Sequence, residues 1–566
     1  MTTSKAFRIL DSVETAMRDG CVLRADIWLP DGEGPWPVLL QRTPYRKEDA
    51  FGTQYISAMD FRTALYRGYA IVIQDTRGRY SAEGAFDPFV EEIEDGTDTL
   101  EWLRGQDFCN GQVVMFGASY VGATQVLAAA GHPEGLVAIS PHLTTGRYGN
   151  TWTYRGGAVE LAFLLLWIIE SLAPTDLERR VAEMPAVEAE RARTFLGQLQ
   201  RDPYAAFARL PVLDDNLRML APYAADWFDA AKAATAEGDR EHLDALIETR
   251  LPALVSAGWN DLFLEGALEL FTLLRRRPGD IADRLLIGPW SHGNPSDWQG
   301  DVWHGYSAST AGLSDVQLDF FDAARWGEAP NTPRVRYFRS GSNTWHTGED
   351  WPLPDTELQQ WFLAEGRLEN DLEAAGSGHL SYLSDTLHPV PTVGGANFVP
   401  GLLLGRNSGP KDQRAVEERD DVLTFTSEPL REDIEVTGLV EVSVWVSSTG
   451  VSADWTARFC EVDPDEKSIG LVDGIYRQTM ASAVPGEVVV RLGHISHLFR
   501  RGTRYRLQVA SSNFPRFDRN PQTGASPSDA GPEDFAAHRH TVYFGTDTPS
   551  VLRLHLRPNA VSVAAR

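Results

Sequence analysis

The run GQVVMFGASYVGATQVLAAAG, residues 111–131, joins a short apolar stretch, Val113 to Phe116, to an alanine-rich segment through a single tight joint. That joint reads Gly117-Ala118-Ser119-Tyr120-Val121-Gly122. Strand, turn and helix in this order lift a serine hydroxyl off the strand end, and the N–H groups of the first helical turn face any oxyanion formed there. Gly117 permits the sharp turn and Gly122 lets the helix approach the sheet. Val121 stands where the usual Gly-x-Ser-x-Gly pattern has its last glycine.

Working outward, PVLLQRTPY (37–45), YAIVIQDTRG (69–78), LPALVSAGWNDLF (251–263) and RLLIGPWSHG (284–293) each place a short apolar run before polar residues. Such nearly uninterrupted runs are expected where helices cover both faces of a parallel sheet. EEIEDGTDTLEWLRGQ (91–106) reads as a covering helix, with Ile93, Leu100 and Leu103 on one side. Between about 150 and 246 the texture changes to helix formers with apolar stripes: AVELAFLLLWIIESL, DLERRVAEMPAVEAERARTFLGQL and WFDAAKAATAEGDREHLDALI. Helices inserted there would cap the C-terminal strand edges, where open α/β sheets bind ligands. After about residue 335, strand-like segments such as IEVTGLVEVSVWVSS and EVVVRLG alternate with Gly, Pro, Asp and Ser turns, the pattern of a separate sandwich or jelly roll.

The 566 residues exceed one simple core, and 43% hydrophobic with 23% charged residues is a folded composition. With 52 Lys plus Arg against 79 Asp plus Glu, the net charge of -27 repels phosphate backbones and anionic membranes, so nucleic acid is not an expected partner. Cys21, Cys109 and Cys460 are too far apart for a zinc ribbon or a disulfide framework, and fit a reducing compartment. No apolar run reaches the 18 residues that suggest a membrane span, and the opening MTTSKAFRILDSVETAMRDG lacks a signal-peptide core. The expectation is a cytoplasmic protein outside the membrane, with a homodimer left open.

A serine hydroxyl needs a base, and the base needs an orienting carboxylate. His292 follows LLIGPWS and Asp261 follows VSAGWN, so a parallel sheet would bring both to the same edge as Ser119. The order Ser119, Asp261, His292 is the chain order of α/β-hydrolase triads. The competing readings are a solvent-exposed loop histidine for His292 and a helix N-cap for Asp261, a role open to Asn260 as well. Tyr45, stiffened by Pro44, is placed to donate its hydroxyl to an oxyanion beside the Tyr120 N–H, or else simply packs. Asp75 and Arg77 in QDTRG are accounted for by a salt-bridged turn. With no zincin, EF-hand, dinucleotide or phosphate-loop fingerprint, cofactor-free hydrolysis without a metal is expected.

RTPY, QDTRG, WLRGQDFCNGQVVMFGASYVG, AGWND, GPWSH and the late SSNFPRFDRN together resemble the cocaine esterase (CocE/NonD) family, kin to X-prolyl dipeptidyl aminopeptidases and α-amino acid ester hydrolases. The resemblance spans nearly the whole chain. It implies an α/β-hydrolase core (1–147 and 247–334), an inserted helical cap (148–246) and a C-terminal jelly roll (335–566). It also implies Ser119 as nucleophile, His292 as base, Asp261 as its partner, and Tyr45 with the Tyr120 N–H as oxyanion donors. Trp152, Trp167, Phe263, Leu403 and Leu404 match its substrate-pocket positions. Trp167 sits inside LLLWII, a core-like setting, whereas Trp152, beside Thr151, Thr153 and Tyr154, reads as a pocket rim. The implied substrate is a small ester with a compact aromatic acyl group, the alternatives being an α-amino ester, an X-Pro amide, or ligand binding without catalysis.

Overall fold

The computed structural model describes residues 7–49, 59–229, 241–399 and 407–558. Leu403 and Leu404 lie outside them, as do the middle of the 227–247 segment and part of the glycine-rich stretch 394–414. Among the described residues, ten strands make one sheet: β1 (Arg8–Ala16), β2 (Val22–Leu29), β3 (Trp36–Thr43), β4 (Ala70–Asp75), β5 (Cys109–Ala118), β6 (Leu136–His142), β7 (Leu254–Asn260), β8 (Arg284–Ser291), β9 (Val335–Arg339) and β10 (Thr344–Gly348). Their spatial order is β1-β2-β4-β3-β5-β6-β7-β8-β9-β10. From β4 to β9 all neighbours are parallel, with antiparallel β1, β2 and β10 at the two margins.

The apolar runs are buried on both faces because alternate residues feed two layers. Val38, Leu40, Val72, Val113 and Met115 pack with Leu100, Leu103, Val126 and Phe271 from the helices Glu92–Arg104, Tyr120–Ala130 and Leu264–Leu274. Leu39, Ile71, Ile73, Val114 and Phe116 turn the other way, onto Leu318 and Phe321 of the helix Leu313–Trp326. One consequence of the -QDTRG- turn departs from expectation: Asp75 and Arg77 do not pair with each other. The Asp75 carboxylate accepts the Ser81 hydroxyl and the Lys47 N–H, while Arg77 bridges Asp19 and Asp95.

The cap begins with a small hairpin, Tyr154–Arg155 against Ala158–Val159, and continues through helical segments from Leu161–Leu166 to Ala224–Trp227 around Leu164, Phe207, Leu217 and Leu220. The last helix of the expected cap segment, Glu241–Glu248, instead sends Leu243 and Leu246 into the sheet's own core. The C-terminal part is an antiparallel sandwich. Val436, Val440, Val442 and Val444 of the strand Ile434–Ser448 face Trp455, Phe459 and Leu507 of the opposing sheet. The strands expected to open this domain, β9 and β10, belong to the main sheet: Leu285 registers with Val335, and the sandwich's own strands start at Glu357–Leu363. Hydrogen bonds of Ser340 with Ser496 and Leu498 then join the sheet margin to the sandwich. No helix among the described residues is long and apolar enough to cross a membrane.

Candidate active site

The turn after β5 is built as its glycines require. Ser119 takes φ 60° and ψ −129°, a conformation that costs energy for a residue with a Cβ and persists only when its surroundings enforce it. They do: its N–H donates to the His142 carbonyl at the end of β6 (3.0 Å), and its own carbonyl accepts from Gly122 (2.8 Å) and Ala123 (3.0 Å). Gly117 has φ +130°, and a Cβ there would lie 2.3 Å from the Val121 side chain. At Gly122 a Cβ would lie 2.6 Å from Thr144, so this glycine admits the loop after β6 against the helix.

Three strand ends converge. His292, just past β8, has Nε2 3.0 Å from the Ser119 hydroxyl and Nδ1 2.8 Å from an Asp261 carboxylate oxygen. All three residues are buried. Asp261, just past β7, therefore holds the imidazole and does not cap the following helix, whose N-terminus has no side-chain cap; Asn260 donates instead to the Pro289 carbonyl (2.7 Å). Behind the elbow, burial and then the His292 charge push the His142 imidazole down to about 3, so it stays neutral beside the triad.

Tyr120 opens the helix, so its N–H has no partner within that helix. Its ring is fixed by the phenol, which donates to Glu92 (3.0 Å) and accepts the Phe89 N–H (2.9 Å). Glu92 is itself paired with the buried Arg42 at 2.7 Å; burial still raises its carboxyl, with Arg42 offsetting part of the effect. Tyr45 is half-buried and accepts the Trp167 indole N–H at 3.0 Å. Accepting through a lone pair uses none of the hydroxyl's donor capacity.

An aromatic wall adjoins these groups. Trp152 stacks on Phe263 (centroids 4.3 Å apart, planes 18°), and Phe263 meets the His292 ring edge-on at 5.1 Å. Trp152 is only 1% exposed, so it is an inner element of the wall and not a rim. Its threonine neighbours spend their hydroxyls locally, Thr153 on the Tyr148 carbonyl and Thr151 on Thr145. Trp167 lies between Phe163 and Trp227, stacked on both. Phe398 also meets the His292 ring edge-on, at 5.3 Å. Phe163, Trp227 and Phe398 were not anticipated. Phe163 had a signal, since it lies four residues before Trp167 and shares its helix face; Trp227 and Phe398 come from distant segments with no local mark. Among the described residues, no group of three or more His, Cys, Asp or Glu side chains is arranged to hold a metal ion.

Comparison with known proteins places the chain in a family. Residues 19–294 match the model of the X-Pro dipeptidyl-peptidase (S15) family, and residues 328–553 match the X-Pro dipeptidyl-peptidase C-terminal non-catalytic domain. Cocaine esterase from Rhodococcus sp. (strain MB1 Bresler) is 35% identical, the alignment covering 96% of this chain and 98% of that protein. Among solved structures, an aminopeptidase from a marine-sediment Thaumarchaeota archaeon superposes with a TM-score of 0.79 at 24% identity, covering 98% of this chain and 97% of its own. An α-amino acid ester hydrolase gives 0.75 at 24% identity, with 98% of both chains covered.

Proposed function

The chain belongs to the serine hydrolase family of the X-Pro dipeptidyl-peptidases and cocaine esterase, and from that premise we propose that it is an esterase cleaving small esters with a compact aromatic acyl group. The observation that carries this reading is the continuous hydrogen-bonded line from Ser119 through His292 to Asp261. His292 Nε2 takes the Ser119 proton as the oxygen attacks the ester carbonyl, and Asp261 holds the Nδ1–H and stabilises the imidazolium that forms. The oxyanion is met by the Tyr120 N–H and the Tyr45 hydroxyl, which the Trp167 indole orients. His292 then gives its proton to the leaving alcohol, and water activated by the same base releases the acid from the Ser119 acyl-enzyme. The wall of Trp152, Trp167, Phe263, Phe163 and Phe398 supports the aromatic preference, since apolar pockets at domain junctions favour flat apolar groups.

A second reading, an ester or amide substrate carrying a free amine, is favoured by one feature. Asp226 immediately precedes Trp227 of the wall, and its charge, after burial, raises the Asp87 carboxyl. One experiment addresses both. Purified wild-type and Ser119→Ala proteins are assayed on a neutral aryl ester, its α-amino analogue and an X-Pro amide. The expected result is Ser119-dependent hydrolysis with the neutral aryl ester fastest; faster cleavage of the amine-bearing substrates selects the second reading. Equal activity of wild type and Ser119→Ala defeats both.

A further inference from the structure

The late motif SSNFPRFDRN (511–520) takes no part in the triad, yet it is bolted to the cap. Its Pro515 carbonyl accepts the Ala162 N–H (3.1 Å), Asp518 accepts the Val159 N–H (2.9 Å), and Arg519 donates to the Ala208 carbonyl (3.0 Å). At its centre is Arg516, which is almost wholly buried. On one side its guanidinium pairs with Asp473 on the sandwich strand Ser468–Gln478. On the other it reaches Glu160 of the cap through Nε (3.4 Å) and Nη2 (3.3 Å). Burial would raise the Asp473 carboxyl, but Arg516 and Arg458 overcome it and hold the group at about 2, so this carboxylate stays ionised.

The line does not stop at Glu160. Arg155 Nε donates to the same carboxylate (3.1 Å), and Arg155 Nη2 donates to the Leu262 carbonyl (2.6 Å). Leu262 stands between Asp261, which holds His292, and Phe263, which faces the His292 ring. The Glu160 backbone carbonyl, meanwhile, accepts the Leu164 N–H and starts the helical segment that carries Phe163 and Trp167. A set of buried ions is demanding about geometry, because removing one partner strands the next in a low dielectric. We propose that Arg155 and Arg516, acting through Glu160, are positioning residues that connect the C-terminal sandwich to the Asp261–Phe263 turn and so set the triad acid and the acyl wall together. The proposal rests on the esterase reading of Ser119, His292 and Asp261.

Arg155→Lys is the decisive variant. It keeps a cation beside Glu160 but lacks the planar fork that serves Glu160 and the Leu262 carbonyl at once. Active protein is counted by titrating Ser119 with a serine-directed phosphonate, and turnover is measured on a small acetyl ester, which leaves the aromatic wall unfilled. Because displacing a catalytic group by about 1 Å costs up to about a hundredfold, kcat per titrated serine is expected to fall roughly tenfold in Arg155→Lys and further in Arg155→Met. KM for the acetyl ester is expected to stay within about threefold, the mark of an interaction that matters in the transition state. Arg516→Met should lower kcat too, and combining it with Arg155→Met should add little, as expected for two members of one network. Wild-type kcat per titrated serine in Arg155→Lys, or in Arg516→Met, would show a purely structural clasp and overturn the proposal. Failure of the esterase reading is seen separately, as hydrolysis that survives Ser119→Ala in the otherwise native protein.

Discussion

The strand edge that carries the triad and the junction that carries the aromatic wall adjoin the same space but are held by different physics. Ser119, Asp261 and His292 each follow a strand whose last residues are wholly buried, and the parallel ladder fixes where those strands end. A tight turn presents each side chain, and the turn after Asp261 is tied in addition to Arg155 through the Leu262 carbonyl. Phe163, Trp167 and Phe263, by contrast, lie on segments joined to a line of charges, Arg155, Glu160, Arg516 and Asp473, with 356 residues separating Glu160 from Arg516. Strand ends are placed by backbone hydrogen bonds that carry no charge, whereas in a line of buried charges the loss of one partner strands the next.

The sharpest way to break that contrast is to disable the strand edge without touching its scaffold. Asp261→Asn keeps the size of the side chain but favours the wrong tautomer of His292, and turnover is expected to drop about 10⁴-fold, the cost typical of losing this carboxylate. The thermal unfolding temperature should barely move. Measuring kcat beside the melting curve checks both halves, and a loss below about tenfold would take Asp261 out of the mechanism.

The same division explains what could be read from the chain alone. Ser119, Asp261 and His292 stand out because each terminates an apolar run, and a run of that kind reports its own burial. Tyr45 was less distinct: its proximity to the elbow is a property of the loop after β3, while its bond to Trp167 crosses 122 residues. Trp152 misleads because its polar neighbours suggest solvent, whereas their hydroxyls close local turns and leave the indole facing inward. The β-rich domain is expected to begin at about residue 335, but strand propensity does not say which sheet Val335–Arg339 joins; its partner, Leu285, lies far back in the chain. The ion line through Arg516 has no local signature, since each charge alone resembles any other Arg or Glu.

Acid should separate the two regions next. Asp473 is held at about 2 by Arg516 and Arg458 against the effect of burial, and Glu265, half-buried, is brought to about 2 by His494 and Arg155 despite its desolvation. Carboxylates in an unfolded chain titrate near about 4, so both groups bind protons more readily once unfolded. Their stabilisation is complete above that value and fades as pH falls from about 4 toward 2, by about 2–3 kcal/mol for each group. Melting temperatures recorded from pH 5 down to 2.5 are expected to fall steeply in the wild type and less steeply in Arg516→Met, which has already lost the Asp473 pairing. Parallel slopes would remove this ion pair from the account of acid sensitivity.

The smallest effect is expected where the two regions touch. Trp167 belongs to the wall, yet its indole N–H reaches the Tyr45 hydroxyl and so ties the wall to the other side of the site. Trp167→Phe removes that N–H and keeps most of the apolar surface. A neutral hydrogen bond of this kind contributes about 1 kcal/mol, so kcat on an aryl ester should fall about fivefold. Tyr45→Phe removes the proposed oxyanion donor itself and should cost about 10²–10³-fold. If Trp167 only orients the tyrosine, Trp167→Phe in a Tyr45→Phe background should change kcat hardly at all, because the hydroxyl it served is already gone. A second full fivefold loss in the double variant would mean that Trp167 acts on the bound acyl group directly, and the boundary between the two regions would then run through the wall itself.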